Sequence, residues 1–123
     1  MTGKEVVEEL WRRFEARDWE RAAELVADDA VIEWPHSRER MRGKNFIEVN
    51  RIYPEGWSIE VLRVLELGEV VVSEVRVPHD TSEFWATSLF EVRDGQIVRG
   101  REYWVESPAH EIPQWRAHLV ERW

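Results

Sequence analysis

Apolar residues recur at helical spacing near the start of the chain. Thr2 and Glu5 fit a capping box, in which a hydroxyl and a carboxylate satisfy the free amides of a helix start. One apolar stripe follows, and it predicts a helix over about residues 3–17: Val6, Val7, Leu10, Trp11 and Phe14. Asp18 can cap a second helix, which we expect to end at Asp28-Asp29.

The spacing then changes to that of strands. A short strand over 31–34 is stopped by Pro35, a polar loop covers 36–44, and a third helix of about two turns covers 46–53. Longer strands are predicted over 58–66, 70–77, 83–92 and 96–106, with Asp94-Gly95 as a hairpin turn. Helices followed by a run of antiparallel strands predict an α+β fold, with the helices on one face of a curved sheet. In the tail, 107–123, Trp115, Leu119 and Trp123 lie four apart and suggest a final helical turn.

Length and composition narrow the protein class. The 123 residues suit one domain, 1–123, and the absence of cysteine excludes disulfides, thiolate zinc sites and cysteine nucleophiles. No apolar run is long enough for a membrane span, and the N-terminal segment lacks the apolar core of a secretory signal. The net charge of −8 has the wrong sign for general nucleic-acid binding. We therefore expect a cytoplasmic protein with no nucleic-acid or membrane partner.

Tryptophan is over-represented, with eight among fourteen aromatic residues. A small core does not need so many indoles, so some are expected to line a cavity or an interface. The preferred cavity-lining candidates are Trp34, Tyr53, Trp85 and Trp104, whereas the helical stripe assigns Trp11 and Phe14 to the core. Such a cavity would hold a small, flat apolar ligand.

Several short phrases, in order, resemble the nuclear-transport-factor-2-like superfamily and its SnoaL-like branch over about residues 3–106. They are Asp18-Trp19, the segment 27–31, Glu33-Trp34-Pro35, Arg42-Gly43-Lys44, the segment 93–97 and Glu102-Tyr103-Trp104. The resemblance implies a cone, in which a strongly bent sheet wraps the helices around a deep apolar pocket. It also implies a homodimer through the outer sheet face. The superfamily contains cyclases, isomerases, dehydratases, epoxide hydrolases and non-catalytic adaptors, so the fold leaves the reaction open.

The ketosteroid-isomerase branch of this superfamily can be compared position by position. Its base precedes the proline after the first strand, and here that place holds Trp34. Its oxyanion hole uses a tyrosine on the first helix and an aspartate on the penultimate strand, where this chain has Leu10 and about Ala86. Another acid position of the superfamily follows the aromatic pair of the last strand, and here it is Val105. Chemistry of the steroid-isomerase kind is therefore not expected.

Strand alternation selects one acid as the catalytic candidate. If Trp104 faces the cavity, so does Glu102, while Tyr103 faces away. A carboxylic acid beside tryptophans is partly desolvated, which raises its pKa and makes it a usable acid or base near neutrality. The alternative is a structural ion pair between Glu102 and an arginine on a neighbouring strand, which is the commoner role.

His36, which follows Trp34-Pro35, could assist at the pocket rim, or it could be a solvent-exposed loop residue.

Glu74 interrupts an apolar strand and faces either the cavity or the outer face, with a slight preference for the outer face. The basic cluster Arg38, Arg40, Arg42 and Lys44 could attract an anionic ligand, but a solvated loop with pairing to Glu39 is the simpler interpretation.

No motif points to a metal, a cofactor or a nucleophilic triad: the four histidines lack ligand spacing, and there is no phosphate-binding glycine loop. The first hypothesis is cofactor-free acid–base chemistry, such as cyclisation, isomerisation or hydration, on a small apolar molecule. Glu102 would transfer the proton and His36 would assist. The second hypothesis is a non-catalytic ligand-binding or dimeric scaffold protein.

Overall fold

The computed structural model describes residues 1–123 and begins with two helices, α1 (Gly3–Glu15) and α2 (Trp19–Ala23). The capping box at α1 is present: the Glu5 amide donates to the Thr2 hydroxyl at 3.1 Å, and the Thr2 amide donates to the Glu5 carboxylate at 2.9 Å. Asp18 caps α2. The predicted apolar stripe of α1 is fully buried, as its spacing requires.

Six strands and a third helix complete the body: β1 (Val26–Trp34), β2 (Glu39–Arg42), α3 (Asn45–Arg51), β3 (Glu60–Leu67), β4 (Val70–His79), β5 (Ser82–Arg93) and β6 (Gln96–Ser107). They form one sheet in the order β2-β1-β6-β5-β4-β3. A 3₁₀ helix, Gln114–Leu119, follows in the tail. None of the helices has both the length and the apolar character needed to cross a bilayer.

The sheet is mixed rather than antiparallel throughout, because β1 pairs with β6 in parallel. The chain leaves β1 through β2 and α3 and returns along the antiparallel meander β3–β6, which brings β6 back beside β1 in the same direction. This pairing joins the N-terminal half of the chain to its last strand, and it places the end of β1 beside the second half of β6.

Two sequence boundaries are wrong around β1. Asp28 and Asp29, expected to end α2, lie inside β1, where the register with β6 breaks between Val26 and Val31 and both side chains are exposed. The expected loop over 36–44 contains β2, an edge strand in which Met41 alone is buried. A strand whose other side chains are charged lacks the apolar alternation that identifies strands in sequence, but charge suits a sheet edge.

The concave face of the sheet carries the core. Along β4 and β5 every second residue is buried, and α1 packs over this face with Trp11 and Phe14 fully inside. Ser73 is also buried there and accepts a hydrogen bond from the Trp11 indole nitrogen at 3.0 Å. The fold is therefore the α+β cone expected from the sequence, with one apolar interior between helix and sheet.

The convex outer face is more exposed, and it carries apolar side chains at Leu65, Leu89, Tyr103 and Val105. Glu74 lies on this face and pairs with Arg63 at 3.2 Å, in agreement with the preferred alternative for it. The homodimer expected through the outer face stays a prediction.

Gly100 in β6 gives a test of the packing between β1, β5 and β6. A methyl group at this position would lie 2.7 Å from the Phe90 ring and 2.9 Å from Ile32, both of which are completely buried. We expect Gly100→Ala to lower the free energy of unfolding by about 1–3 kcal/mol, since neither neighbour has room to withdraw. Urea denaturation measures the change.

The control for Gly100→Ala is Arg99→Ala on the exposed face of the same strand, which should change stability by less than about 0.5 kcal/mol. Equal stability of Gly100→Ala and the wild type would show that the three strands pack more loosely than described.

Candidate functional site

Glu102 is the one charged residue in the protein interior, with 1% of its surface exposed. The alternation of β6 turns Gly100, Glu102 and Trp104 to the concave side, as predicted. Ser88 of β5 lies directly opposite Glu102 in the strand register, and Trp34 ends the neighbouring strand β1. Three adjacent strands therefore bring polar atoms to the same carboxyl group.

Each of these neighbours donates a hydrogen bond to Glu102. The indole nitrogen of Trp34 donates to Oε1 at 3.0 Å, and that of Trp104 to the same oxygen at 3.4 Å. The Ser88 hydroxyl donates to Oε2 at 2.7 Å. No arginine, lysine or histidine forms an ion pair with Glu102. The structural ion pair considered from the sequence is therefore absent.

Two opposing effects set the acidity of Glu102. Burial removes water from the carboxylate and raises the pKa above the ordinary 4.5, and this effect is the larger one. The hydrogen bonds from Trp34, Ser88 and Trp104 favour the charged form and lower the pKa in part. The net result is a carboxyl group that holds its proton at a higher pH than an exposed glutamate does.

A cavity of about 240 Å³ opens beside this carboxyl group. Its walls come from the turn after β1, from α3 and the segment that follows it, and from the concave ends of β4, β5 and β6. The lining residues are Trp34, His36, Ser37, Asn50, Tyr53, Trp57, Ile59, Val77, Phe84, Glu102 and Trp104. The cavity is thus mainly aromatic and apolar, with Glu102 as its one acid.

The structure brings five of the six predicted site residues to this cavity: Trp34, His36, Tyr53, Glu102 and Trp104. His36 is an exposed residue of the turn after β1, and no hydrogen bond joins it to Glu102.

The expectation that Trp85 lines the cavity is wrong. Ala86 and Phe84 face inward, so alternation turns Trp85 to the outer face. There its ring lies 5.6 Å from the Trp123 ring of the tail and 6.0 Å from the Arg76 guanidinium.

The basic cluster lies away from the cavity. Arg40 bonds Glu33 at 2.5 Å, and Arg101 bonds the other oxygen of Glu33 at 2.9 Å. Lys44 donates to the carbonyl oxygens of Ala23 and Val26, which ties α3 to the end of α2. These contacts are largely structural, although the partners of Arg40 and Lys44 differ from the expected Glu39.

Comparison with known proteins now identifies the family. The sequence profile of the SnoaL-like domain matches residues 7–100. The chain belongs to the SnoaL-like family. No curated protein sequence matches it.

Solved structures share the fold of this SnoaL-like protein. A candidate ketosteroid isomerase from Kribbella flavida DSM 17836 is 30% identical, with 98% of this chain and 88% of that chain covered and a TM-score of 0.86. An NTF-2 like protein of unknown function from Burkholderia xenovorans LB400 is 25% identical, with 98% and 94% covered and a TM-score of 0.76. An LEH-like epoxide hydrolase from M. tuberculosis is 24% identical, with 84% and 82% covered and a TM-score of 0.71, which shows the fold alone.

The positions compared with steroid isomerases carry no acid or phenol in this SnoaL-like protein. Leu10 is completely buried in the core, and Ala86 is 2% exposed on the concave face. Val105, at the other acid position of the superfamily, is exposed on the outer face. Glu102 is therefore the acid that the cavity offers, on a different strand from the isomerase aspartate.

Alternation along β5 could have identified two site residues that the sequence analysis did not single out. Once Ala86 is placed inward, Phe84 and Ser88 must face the same side. Asn50 and Ser37 also line the cavity, and Asn50 donates to the Phe46 carbonyl oxygen at 2.8 Å within α3. No sequence pattern marks these two. No group of three or more histidine, aspartate and glutamate side chains is arranged to hold a metal ion.

The raised pKa of Glu102 predicts a pH dependence of stability. The folded protein binds this proton more tightly than the unfolded chain, whose glutamates titrate near 4.5. The contribution of the bound Glu102 proton to the free energy of unfolding is therefore complete below pH 4.5. It is lost as the pH rises through the pKa of Glu102 in the folded protein. Glu102→Gln cannot titrate, so relative to wild type it should gain stability from pH 4.5 upward.

Urea denaturation of both proteins at a series of pH values measures this difference. The matched control is Glu74→Gln, which removes the same charge from the outer face and leaves Glu102 in place. A stability difference for Glu102→Gln that is independent of pH, or that favours wild type increasingly as the pH rises, would mean that the Glu102 pKa is not raised.

Proposed function

We propose that this SnoaL-like protein binds a small, mainly apolar molecule in the aromatic cavity and carries out cofactor-free acid–base chemistry on it through Glu102. The observation that carries the proposal is a lone, buried carboxyl group at the wall of a 240 Å³ aromatic cavity. Its pKa is raised by burial, as catalytic acids require near neutral pH.

The roles of the neighbouring residues follow from their bonds to Glu102. Trp34 and Trp104 fix one carboxyl oxygen, and Ser88 fixes the other, so the group has a defined orientation. When protonated, Glu102 can give its proton to an oxygen of the ligand; when ionised, it can take a proton from carbon. Isomerisation, cyclisation and hydration each need one or both of these transfers. His36 at the mouth would assist by exchanging a proton with solvent.

A non-catalytic ligand carrier is the second candidate. The observation in its favour is the very low exposure of Glu102, 1%, together with the absence of a hydrogen-bonded path from Glu102 to His36. In that case the carboxyl group orients a ligand without turnover. The two candidates share the cavity and differ only in whether Glu102 transfers a proton.

Binding in the cavity is tested with a pair of tyrosines of nearly equal exposure. Tyr53 lines the cavity and is 46% exposed, while Tyr103 lies on the outer face and is 47% exposed. For any ligand found by a thermal-shift screen of apolar compounds, Tyr53→Ala should weaken binding by about tenfold or more, through lost aromatic contact. Tyr103→Ala should leave the affinity unchanged. Equal effects of the two variants would place the ligand elsewhere.

Catalysis is tested by incubating the ligands from that screen with wild type and Glu102→Gln and following product formation by mass spectrometry. Loss of the acid should reduce turnover by on the order of 10²–10⁴-fold, while circular dichroism shows an intact fold. Glu74→Gln serves as the charge-matched control and should retain full activity. Turnover that is unchanged in Glu102→Gln would remove Glu102 from the mechanism. Binding without turnover in wild type would favour the carrier.

A further inference from the structure

Glu102 lacks a counter-charge, and this is the most unusual electrostatic feature of the interior. Buried carboxylates are normally paired with a cation. Around Glu102 the structure provides three hydrogen-bond donors, two of them indole nitrogens that can only donate, but no ion pair. The donors favour the ionised form while burial opposes it, so the site lacks a positive charge that would favour ionisation.

The protein supplies no cation to the cavity. No lysine or arginine is among its lining residues. Arg17 lies over the ring of Trp57 at 3.4 Å, but it is outside the lining, and its charge is matched by Glu55 at 2.9 Å. The one basic side chain in the wall is that of His36, an exposed residue at the mouth, and it forms no ion pair with Glu102. A positive charge inside the cavity would therefore have to arrive with the ligand.

The aromatic walls of the cavity are suited to a positively charged ligand. Tyr53 and Phe84 stand nearly perpendicular, at 88° with ring centres 6.4 Å apart, and Phe84 and Trp104 stand at 75°, also 6.4 Å apart. Neighbouring rings of the wall therefore differ in orientation and do not stack on one another. Aromatic walls attract ammonium groups through the negative potential of the ring faces, most strongly where water is excluded. The net charge of −8 also favours cations over anions at the protein surface.

We propose that the ligand of this cavity is an organic cation, an apolar body carrying an alkylated ammonium group, whose charge is balanced by ionised Glu102. This rests on the proposed function only in assuming that the cavity binds a ligand. It specifies the substrate class: amine-bearing molecules bind, and carboxylated molecules of the same shape are rejected. On cation binding, the proton held by Glu102 leaves to solvent, so binding and proton release are coupled.

The test uses three probes of matched shape: choline, its uncharged carbon isostere 3,3-dimethylbutanol, and the anion 3,3-dimethylbutanoate. Isothermal titration calorimetry on the whole protein should show choline binding at least about tenfold tighter than the isostere, and no binding of the anion. Glu102→Gln should abolish the preference for choline over the isostere. Glu74→Gln, which removes one negative charge from the outer face, should keep it.

A second measurement does not depend on whether Glu102→Gln folds. Choline titrations of wild type in buffers of different ionisation enthalpy, repeated at several pH values from 4.5 upward, should reveal protons released on binding wherever Glu102 is still protonated in the free protein. Equal or tighter binding of the isostere, loss of the preference in Glu74→Gln, or failure of choline to bind at millimolar concentration would overturn the cationic ligand. If the isostere alone binds, the cationic ligand is excluded but the proposed apolar pocket is supported. Turnover that depends on Glu102 is a separate measurement, so the two proposals can fail independently.

Discussion

The site depends on one constraint: the carboxyl group of Glu102 is buried, and its hydrogen-bond donors come from three neighbouring strands. A buried acid without hydrogen bonds would cost several kcal/mol, so its donors must be held in place. Trp34, Ser88 and Trp104 come from β1, β5 and β6, and only the parallel pairing of β1 with β6 brings the first of them within reach. The pairing that joins the two halves of the fold thus also completes the polar environment of Glu102.

The same arrangement connects the core with the cavity. Trp104 donates to Glu102 and also packs edge-to-face against Trp11 of α1, at 6.5 Å between ring centres. Trp11 in turn donates to buried Ser73 on β4. These two indoles therefore have two roles, since their rings fill space and their nitrogens donate to buried oxygens. Trp11, Trp34 and Trp104 therefore contribute to both packing and hydrogen bonding.

Much of the fold follows from local patterns. The stripe of α1, the capping residues Thr2 and Asp18, and the turn at Asp94-Gly95 act over a few residues and are visible in sequence. The parallel pairing of β1 and the strand β2 are not, because they depend on contacts between distant segments. β2 has only one buried residue, Met41, so its strand character comes from hydrogen bonding to β1 rather than from its own side chains.

The candidate site is likewise only partly predictable from local sequence patterns. Alternation from Trp104 to Glu102 holds because β6 is regular there. The residue type of Trp85 suggests a cavity wall, but its position in β5, next to the inward-facing Ala86, places it on the outer face. The lack of a cationic partner for Glu102 and the size of the cavity arise from packing among segments that are distant in sequence, which no local pattern contains.

The most direct test of the buried acid is a titration of the Glu102 carboxyl carbon by nuclear magnetic resonance in ligand-free wild-type protein. The account predicts an apparent pKa clearly above 4.5, set apart from the exposed glutamates. A Glu102 resonance that titrates at or below 4.5 would contradict it, because the carboxyl group would then be solvated or paired with a cation.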